Sequence, residues 1–528
     1  MKVFLILLVK SAKKRKTMEQ TIATRMIELK TFMSTVGYEL YPHQIEGITW
    51  MLERELSELP VKGGLLCDDP GLGKTIQTLG LIKSNTKGGR QLIICPVSLM
   101  EQWRSVAAKI FPDKRIIPCH GSYSFKNVTE IEKRDPFITI ASYNSVFGIA
   151  SSKDRDYEKT VLHQVEWERV ILDECHTIRN KNTKVFKGCH DIRAKYRWGL
   201  SGTPLQNKLA DIQSLFRFLH HSEVAILGNL EFLKDNYIMR RNRHILPDAY
   251  KGLNIHIDDV SFDTEEELTF YTQLKDEVRK EFIRSTNEEG SNHMATIFEL
   301  LLRLRQATLH PSIVWNGLYR KYREMDDQDV DLKAIERKIA YWNKRTSTKM
   351  SRLVHHFANH TEHTKSLVFT HYTEESYMVL RSLKTTYPNL KVEIFDGSLS
   401  LERRNHMIAK AEKGEIDCMI IQILCGGVGL NLQMFNRVYL VTPDWNPANE
   451  IQAIARCHRI GQKTDVEVIK IVVRLDDHKP TIDEKIILIQ QQKRELMAQH
   501  LDDDTLLFNE RIRGNMNLTI KDFTFLLK

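Results

Sequence analysis

The residues most capable of chemistry lie in one stretch, GGLLCDDPGLGKTIQT, at positions 63–78. The apolar run Leu65–Cys67 predicts a short buried strand, and the pattern after Thr75 predicts a helix. Between them, Gly71 and Gly73 let backbone N–H groups turn toward an anion, and the start of the helix adds partial positive charge. The order of strand, glycine loop, Lys-Thr pair and helix is typical of a phosphate-binding loop.

Within this loop, two side chains have the chemistry to hold a nucleotide. Lys74 can reach the β- and γ-phosphates, and the hydroxyl of Thr75 can hold Mg²⁺. Gln44, about thirty residues earlier, carries an amide that can read an adenine edge by a paired donor and acceptor. The first glycine of the usual pattern is missing, because Asp68 stands in its place.

A pair of carboxylates follows a second apolar run, Val170–Leu172. Asp173 can hold Mg²⁺ and its water shell, and Glu174 can orient and deprotonate an attacking water. The alternative for such a pair is a helix cap. After the next predicted strand, Ser201-Gly202-Thr203 predicts a sharp turn whose hydroxyls face the same cleft.

Two arginines near the C-terminal end are candidates for transition-state stabilisation. Gln452, Arg456 and Arg459 stand at i, i+4 and i+7, which predicts that they share one face of a helix. Arginines on one face can stabilise a γ-phosphate in transit. The alternative is an ordinary basic face exposed to solvent.

Around these residues, short apolar runs alternate with helical patterns, which predicts an α/β protein with parallel sheets covered by helices on both faces. The alternation stops at 208–345, where charged helical patterns predict a helical insert. It then restarts, which predicts a second sheet without a phosphate loop of its own. Besides the strand that leads into the phosphate loop, the predicted strands are Gln91–Pro96, Phe137–Ser142, Trp167–Glu174, Arg197–Leu200, Ser366–Thr370, Lys391–Gly397, Asp417–Ile423, Arg437–Pro443 and Val466–Val473.

Composition and charge fit a globular intracellular protein. Hydrophobic residues make up 42% and charged residues 27% of 528, and the net charge of +9 is compatible with a polyanionic partner. No CxxC pair occurs among the eight cysteines, so their spacing excludes zinc-ribbon and RING-type sites and favours reduced core thiols. The pair His356 and His360 could bind a metal, but a surface helix face is the simpler interpretation.

The N-terminal segment allows several interpretations. The apolar run Val3–Val9 is short, and its basic cluster follows rather than precedes it, so it does not resemble a signal peptide. It could form an extra strand, or translation could start at Met18. Lys13–Lys16 could be a nuclear-import signal or a solvated charge run. No stretch is long and apolar enough to predict a membrane span.

Several longer blocks of sequence resemble the helicase motifs of the Swi/Snf-type ATPases, within the superfamily-two helicases. The resemblance covers roughly residues 38–495. The chain has little sequence outside these motifs, and in this compactness it resembles the virus-encoded members, especially the baculovirus transactivators. LLRLRQATLHP at 301–311 and LTIKDFTFLL at 518–527 resemble the branch that includes the HLTF-like and transcription-termination-factor-like members. The blocks are LYPHQIEGITWML, GGLLCDDPGLGKTIQT, LIICPVSLMEQW, LDECHTIRN, LSGTPLQN, KSLVFTHYTEES, FDGSLSLERR and CGGVGLNLQMFNRVYLVTPDWNPANEIQAIARCHRIGQ.

The resemblance implies two RecA-like lobes with ATP and Mg²⁺ in the cleft, acting on double-stranded DNA by translocation rather than strand separation. It implies a nuclear protein that remodels protein–DNA complexes or acts with transcription machinery. A weakly catalytic DNA-binding scaffold and an RNA-stimulated NTPase remain as alternatives. The implied domains are an N-terminal extension at 1–37, the ATP-binding lobe at 38–225, a helical region at 226–345, the second lobe at 346–478, and a C-terminal helical brace and tail at 479–528.

Roles carried over by position complete the predicted site. Gln44 would contact adenine and Gln452 would contact the nucleotide, Ser201, Gly202 and Thr203 would couple hydrolysis to movement, and Arg456 and Arg459 would be arginine fingers. The phosphate and Mg²⁺ residues would be Asp68, Asp69, Pro70, Gly71, Leu72, Gly73, Lys74 and Thr75, with Asp173, Glu174, Cys175 and His176 as the DECH motif. Pro96, Ser98, Trp103, Ser142, Tyr143, Thr370, Gly427 and Trp445 would face DNA.

Three positions depart from the pattern of that family. Cys175 stands where the family has a small residue, Pro70 replaces the usual methionine of the loop, and Ala455 stands where an aspartate is usual. Lys74, Glu174 and the arginines are all present, so the site has not lost the residues that a decayed motor would lose.

Overall fold

The chain, in a computed structural model, divides into two compact units, 1–249 and 250–528. Each unit contains one parallel sheet with helices packed on it. The predicted fold class is confirmed, with two RecA-like lobes built on these sheets. The residues that the structure describes are 2–148, 158–203, 209–246, 250–287, 293–325, 330–361, 363–423, 430–475 and 480–501.

The sheet of the first unit has seven strands in the order β3-β4-β2-β5-β6-β1-β7, all paired in parallel. Strands β1, β2 and β4 are buried along their whole length, as their continuous apolar sequence predicts for a sheet covered on both faces. The strands are β1 Gly63–Leu66, β2 Gln91–Cys95, β3 Ile116–Cys119, β4 Ile138–Ser142, β5 Trp167–Asp173, β6 Ala194–Leu200 and β7 Ile238–Met239.

Nine helices are described in this unit. They are α1 Lys2–Thr35, α2 Pro42–Leu56, α3 Lys74–Ser84, α4 Met100–Ile110, α5 Val128–Arg134, α6 Lys184–Asp191, α7 Ala210–Phe218, α8 Glu223–Gly228 and α9 Leu230–Tyr237. Because β1 runs straight into the loop before α3, the phosphate-loop sequence lies at the carboxyl end of the sheet, where α/β proteins bind ligands.

The second unit has six strands in the order β10-β11-β9-β12-β13-β8, again all parallel. Leu367 and Phe369 of β9 pack on one face of this sheet and Val368 on the other, so helices cover both faces. The strands are β8 Leu253–Val260, β9 Ser366–Thr370, β10 Val392–Phe395, β11 Cys418–Gln422, β12 Arg437–Leu440 and β13 Val466–Val473. The described helices are α10 Glu265–Asn287, α11 His293–Leu309, α12 Pro311–Met325, α13 Leu332–Trp342, α14 Thr348–Phe357, α15 Thr373–Thr386, α16 Leu401–Glu412, α17 Pro447–Ile454 and α18 Ile482–Leu501.

The interval 208–345, where helical patterns are predicted to dominate, also contains two strands, β7 and β8. Strand β8 pairs with β13 through eight consecutive residues and forms the edge of the second sheet. Its sequence, LNIHIDDV, alternates apolar and polar residues at its start, which is the period of a half-exposed edge strand rather than of a helix. Strand β3 also lies outside the predicted set.

The extra strand considered for Val3–Val9 is wrong, because this run lies inside the continuous helix α1. The later part of α1 docks on the first unit through buried Ile22, Met26, Leu29 and Met33, at the alternating spacing of four and three that places side chains on one helix face. Within the described ranges, no helix combines the length and the apolar character that crossing a membrane requires.

Candidate nucleotide site

The loop between β1 and α3 has the backbone that a phosphate-binding loop needs. Gly71 and Gly73 have φ values of 97° and 82°, in the left-handed region that favours glycine. A Cβ at Gly73 would also collide with the amide nitrogen of Gln44. The Lys74 ammonium donates to the Asp68 carbonyl at 2.7 Å, so its charge lies across the loop.

The two aspartates of this loop are bound by arginines from the segment after β7. The Arg241 guanidinium donates Nε to Asp68 Oδ1 at 3.0 Å and Nη2 to Oδ2 at 2.6 Å, and Gln77 donates to the same carboxylate at 3.0 Å. Asp69 accepts from Arg240 Nη2 at 3.3 Å and from the Arg243 backbone N–H at 3.2 Å. The prediction that these residues hold phosphate or Mg²⁺ therefore requires correction for their side chains, because both carboxylates already neutralise arginines and shape the loop.

Sequence reasoning missed these arginines. Arg240 also donates to the carbonyl oxygens of Cys67 and Gly202, both at 3.1 Å, and so joins the phosphate loop to the turn after β6. Two features of the sequence could have indicated these arginines. A pair of acidic residues in a loop that must attract phosphate needs nearby cations, and the run RRNR stands directly after a strand.

Gln44 lies against the same loop. Its Nε2 donates to the Leu72 carbonyl at 3.4 Å, while its Oε1 accepts from the Tyr41 N–H at 3.1 Å at the start of α2. Next to it, His43 Nε2 lies 2.9 Å from the same Leu72 oxygen and donates to it, and burial lowers the His43 pKa, which favours the neutral ring. The adenine contact of Gln44 stays a prediction.

The acidic pair lies at the end of β5. Trp103 Nε1 donates to Asp173 Oδ2 at 2.7 Å, the Glu174 N–H donates to Oδ1 at 3.0 Å, and the Tyr143 hydroxyl donates to the Asp173 carbonyl at 2.8 Å. Burial, and then the negative charge of Glu174, raise the pKa of Asp173 to about 6, while Trp103 and the Lys74 ammonium lower it. Two adjacent carboxylates that repel one another in a buried site are a suitable arrangement for a divalent cation.

Glu174 has an uncommon backbone conformation. Its φ of 53° lies in the left-handed region, which costs a non-glycine residue about 1–3 kcal/mol. This turn brings Glu174 Oε2 to 3.3 Å from His176 Nδ1, which lies 3.2 Å from the Ser201 hydroxyl. Ser201 Oγ in turn accepts from the Thr203 N–H at 3.1 Å. The DECH sequence and the Ser-Gly-Thr turn therefore form one connected group.

The unusual residues at two positions fit their surroundings. Cys175 is fully buried against Gly199, and burial raises its thiol pKa well above the usual range, so it is an inert core residue. The Pro70 ring packs so closely on Gly202 that a Cβ at Gly202 would lie 2.8 Å from it. Gly202 is therefore required for the close approach of the two loops.

In the second unit, the helix expected to carry both arginines ends early. Helix α17 ends at Ile454, so Arg456 and Arg459 lie in turns rather than on the face of a helix, and this prediction is wrong. The Arg456 carbonyl accepts from the Leu432 N–H, Arg459 Nε donates to the Ala455 carbonyl at 2.7 Å, and Gly461 has a φ of 95°. The tertiary bond to Leu432, the local bond from Arg459 and the left-handed conformation of Gly461 together favour turns over a continued helix.

Four of the residues predicted to face DNA are buried inside the lobes, which corrects that prediction for their side chains. Trp103 and Ser142 are 1% exposed, Tyr143 is 7% exposed and Thr370 is fully buried. Trp103 and Tyr143 instead hold Asp173, as given above. Pro96, Ser98 and Trp445 have exposed or partly exposed surface, so DNA contact remains a prediction for them, and Gly427 lies outside the described residues.

The two histidines considered as metal ligands bind neighbouring side chains. His356 Nε2 lies 2.6 Å from Asp258 Oδ2, and His360 Nε2 lies 2.9 Å from the Tyr439 hydroxyl. In the part of the chain that the structure describes, no group of three or more His, Cys, Asp or Glu residues could hold a metal ion.

A parallel sheet whose first strand leads into a glycine loop with Lys74, next to an acidic pair at a strand end, defines the class of P-loop nucleotide-binding proteins. Residues 43–239 match the SNF2-related domain, and residues 348–461 match the helicase conserved C-terminal domain. The chain belongs to the Swi/Snf-type family of helicase-like ATPases.

Individual relatives cover nearly the whole chain. A Bacillus subtilis protein, provisionally named an ATP-dependent helicase/translocase, is 28% identical over 92% of this chain and 51% of its own length. The protein named Probable global transactivator of Orgyia pseudotsugata multicapsid polyhedrosis virus is 27% identical over 91% of this chain and 94% of its own. The Sulfolobus solfataricus SWI2/SNF2 ATPase core in complex with dsDNA is 25% identical, covers 91% of this chain and 98% of that one, and has a TM-score of 0.36. The chain spans about half the length of the curated relatives that it matches first.

Proposed function

We propose that this protein is a DNA-stimulated ATPase that translocates on double-stranded DNA and remodels protein–DNA complexes. One observation carries the proposal: the carboxyl ends of β1, β5 and β6 bring the Lys74 loop, the Asp173–Glu174 pair and Ser201 into one connected site. Family membership adds the expectation that ATP is the nucleotide.

Each residue of the site has a defined part in the proposed hydrolysis. The loop N–H groups and Lys74 would bind the β- and γ-phosphates, and Thr75 and Asp173 would hold Mg²⁺, which would supply charge neutralisation at the phosphates. The raised Asp173 pKa supports this assignment, because burial and then the negative charge of Glu174 raise it, and a bound cation would stabilise the ionised carboxylate against both. Glu174 orients the attacking water and accepts its proton.

The second lobe supplies the proposed arginine fingers, Arg456 and Arg459, together with Gln452. Duplex DNA as the track is supported by family membership and by the net charge of +9. A role in transcription is supported by the viral relative that is named Probable global transactivator. The nuclear location is proposed because it would follow from that role.

The test is steady-state ATP hydrolysis by the purified chain without nucleic acid, with duplex DNA and with RNA, each at several salt concentrations. We expect strong stimulation by duplex DNA that weakens as salt rises, because phosphate contacts release counterions. Stimulation by RNA alone would favour an RNA-dependent NTPase. A folded chain that binds DNA but never hydrolyses ATP would favour a DNA-binding scaffold and contradict the proposal.

A further inference from the structure

Within the second unit, helix α18 bonds to the segment between β12 and α17 at two points and to α17 itself at a third. Gln490 Nε2 donates to the Asp444 carbonyl at 2.5 Å and to Glu450 Oε1 at 2.6 Å. One turn further on, Lys493 Nζ donates to the Trp445 carbonyl at 2.9 Å. The same segment leads into α17, so α18 fixes where that helix begins.

Glu450 is the centre of this arrangement. Its Oε1 also accepts from the Asp444 N–H at 2.8 Å, and its Oε2 lies 3.0 Å from Lys470 Nζ of β13. Glu450, Lys470 and Gln490 are 2%, 3% and 0% exposed. One carboxylate therefore links α17 to the sheet on one side and to α18 on the other.

The preceding loop is equally constrained. The Asp444 carboxylate accepts from the Asn446 N–H at 2.7 Å and from Asn449 Nδ2 at 3.0 Å, and lies 3.0 Å from His371 Nε2 at the end of β9. Asn446 then caps α17 by accepting from the Ala448 N–H at 3.2 Å. The start of α17 is therefore tied by hydrogen bonds to α18 and to the end of β9.

The buried polar side chains of Gln490, Glu450 and Lys470 are costly to bury compared with apolar side chains of similar volume. Gln490 Nε2 contacts two acceptor oxygens, and these contacts determine which way the amide group is oriented. In this orientation Gln490 Oε1 has no hydrogen-bond partner among the described residues. A buried unpaired acceptor and a buried ion pair cost folding free energy that apolar side chains of similar size do not cost. Stability alone does not explain these polar residues, whereas a need for fixed geometry does.

We propose that Gln490 and Glu450 are positioning residues through which α18 sets the place of α17 and of the turn that follows it. Gln452 lies two residues after Glu450, and Arg456 and Arg459 lie in the turn just beyond the end of α17. The inference rests on the proposed function, because these are the residues assigned to the nucleotide from the second lobe.

The test compares two neighbouring substitutions in the full chain. Gln490→Leu removes the two hydrogen bonds that Gln490 donates and leaves the volume nearly unchanged. The control, Gln491→Leu, alters an exposed residue that donates a hydrogen bond to Glu495 in the same helix. We expect Gln490→Leu to lower the DNA-stimulated kcat about ten- to a hundredfold, the scale of a small misplacement of reacting groups. Its KM for ATP and its affinity for DNA should match wild type, and Gln491→Leu should match it in every respect.

A second variant separates the effect of the buried charges from the effect of the Gln490 hydrogen bonds. In Glu450→Gln with Lys470→Met, the buried charges are removed together, and the new amide oxygen still accepts from the Asp444 N–H and from Gln490. We expect this double variant to keep kcat within about threefold of wild type, and we expect the addition of Gln490→Leu to lower it as in the wild-type background.

The outcomes separate the two proposals. A wild-type chain that never hydrolyses ATP contradicts the proposed function, and the positioning role with it. If wild type is active and folded Gln490→Leu has the same kcat per folded molecule, with only a lower Tm, then Gln490 is merely structural and this inference alone is overturned.

Discussion

Lys74 is the single residue on which the proposed hydrolysis depends most directly. We expect Lys74→Ala to keep DNA binding and to abolish ATP turnover, because the ammonium that would neutralise the β- and γ-phosphates is removed. Lys87→Ala, an exposed lysine beyond the end of α3, is the matched control and should be fully active. The measurement is the rate of ATP hydrolysis by both variants, and a fully active Lys74→Ala chain would refute the site assignment.

Asp173 gives the site a defined pH dependence. Its pKa of about 6 lies above the ordinary value, so the carboxyl of the free protein loses its proton only as the pH rises through about 6. We expect hydrolysis to fall below that pH and the midpoint to move lower as Mg²⁺ increases, because the cation favours the ionised form. pH–rate profiles at two Mg²⁺ concentrations test this, and a midpoint that ignores Mg²⁺ would argue against Asp173 as a ligand.

The same shift has a consequence for stability. Between the ordinary carboxyl pKa and about 6, Asp173 keeps its proton in the folded state and loses it in the unfolded state. The free energy of unfolding therefore falls as the pH rises through that range. Without nucleotide, we therefore expect Asp173→Asn to melt higher than wild type at pH 7, and to lose that advantage near pH 4. Melting curves of wild type and Asp173→Asn at both pH values test this expectation.

The pair Arg241 and Asp68 shows how much of the loop depends on residues outside the motif. Arg241→Met would leave the fully buried Asp68 carboxylate without its bidentate partner, which typically costs about 3–5 kcal/mol. We expect a clear fall in Tm and weaker nucleotide binding. Arg104→Met breaks only an exposed pair with Glu101 and should change the free energy of unfolding by less than about 1 kcal/mol.

Among the elements, those with long uniform patterns could be predicted and those that depend on tertiary partners could not. Buried strands such as β2 and β9 are continuous apolar runs between turn residues, and the structure places them where the sequence predicts. Strand β8 is a half-exposed edge whose partner, β13, lies some 200 residues later, so a local window cannot reveal the pairing.

The same limit applies to the candidate site. Lys74, Asp173 and Glu174 follow strands within a few residues, so local patterns locate them. Arg241 reaches Asp68 across 173 positions, and the burial of Trp103 against Asp173 depends on how α4 packs on the sheet. Neither contact leaves a periodic signal in the sequence. The DNA role of Trp103 is implied only by the family resemblance, which gives no indication of its contact with Asp173.

Helix α1 packs against the helix that follows the phosphate loop. Leu29 is buried beside Gly80 of α3, while Ile27, two positions earlier in α1, is 67% exposed. We expect Leu29→Ala to destabilise the first unit by about 2–5 kcal/mol, as for other buried leucines, and Ile27→Ala to leave it nearly unchanged. Thermal unfolding of both variants measures the difference, and equal effects would mean that α1 does not dock as the structure places it.

At the scale of the whole molecule, the proposed mechanism assigns residues of both compact units to hydrolysis. Lys74, Asp173 and Glu174 belong to the first, and Arg459 belongs to the second. We expect Arg459→Ala to keep ATP binding but to slow hydrolysis by about 10³–10⁵-fold, the usual contribution of an arginine finger. Lys463→Ala, an exposed basic residue in the same segment, is the control.

Mixing the two inactive variants then tests whether the lobes of one chain act together. If Arg459 serves the phosphate loop of its own chain, an equimolar mixture of Lys74→Ala and Arg459→Ala remains inactive, because neither chain contains a complete site. Recovery of about a quarter to a half of wild-type activity in the mixture would mean that the finger comes from another copy. An Arg459→Ala variant that hydrolyses ATP like Lys463→Ala would instead remove Arg459 from the mechanism and leave Arg456 as the candidate finger.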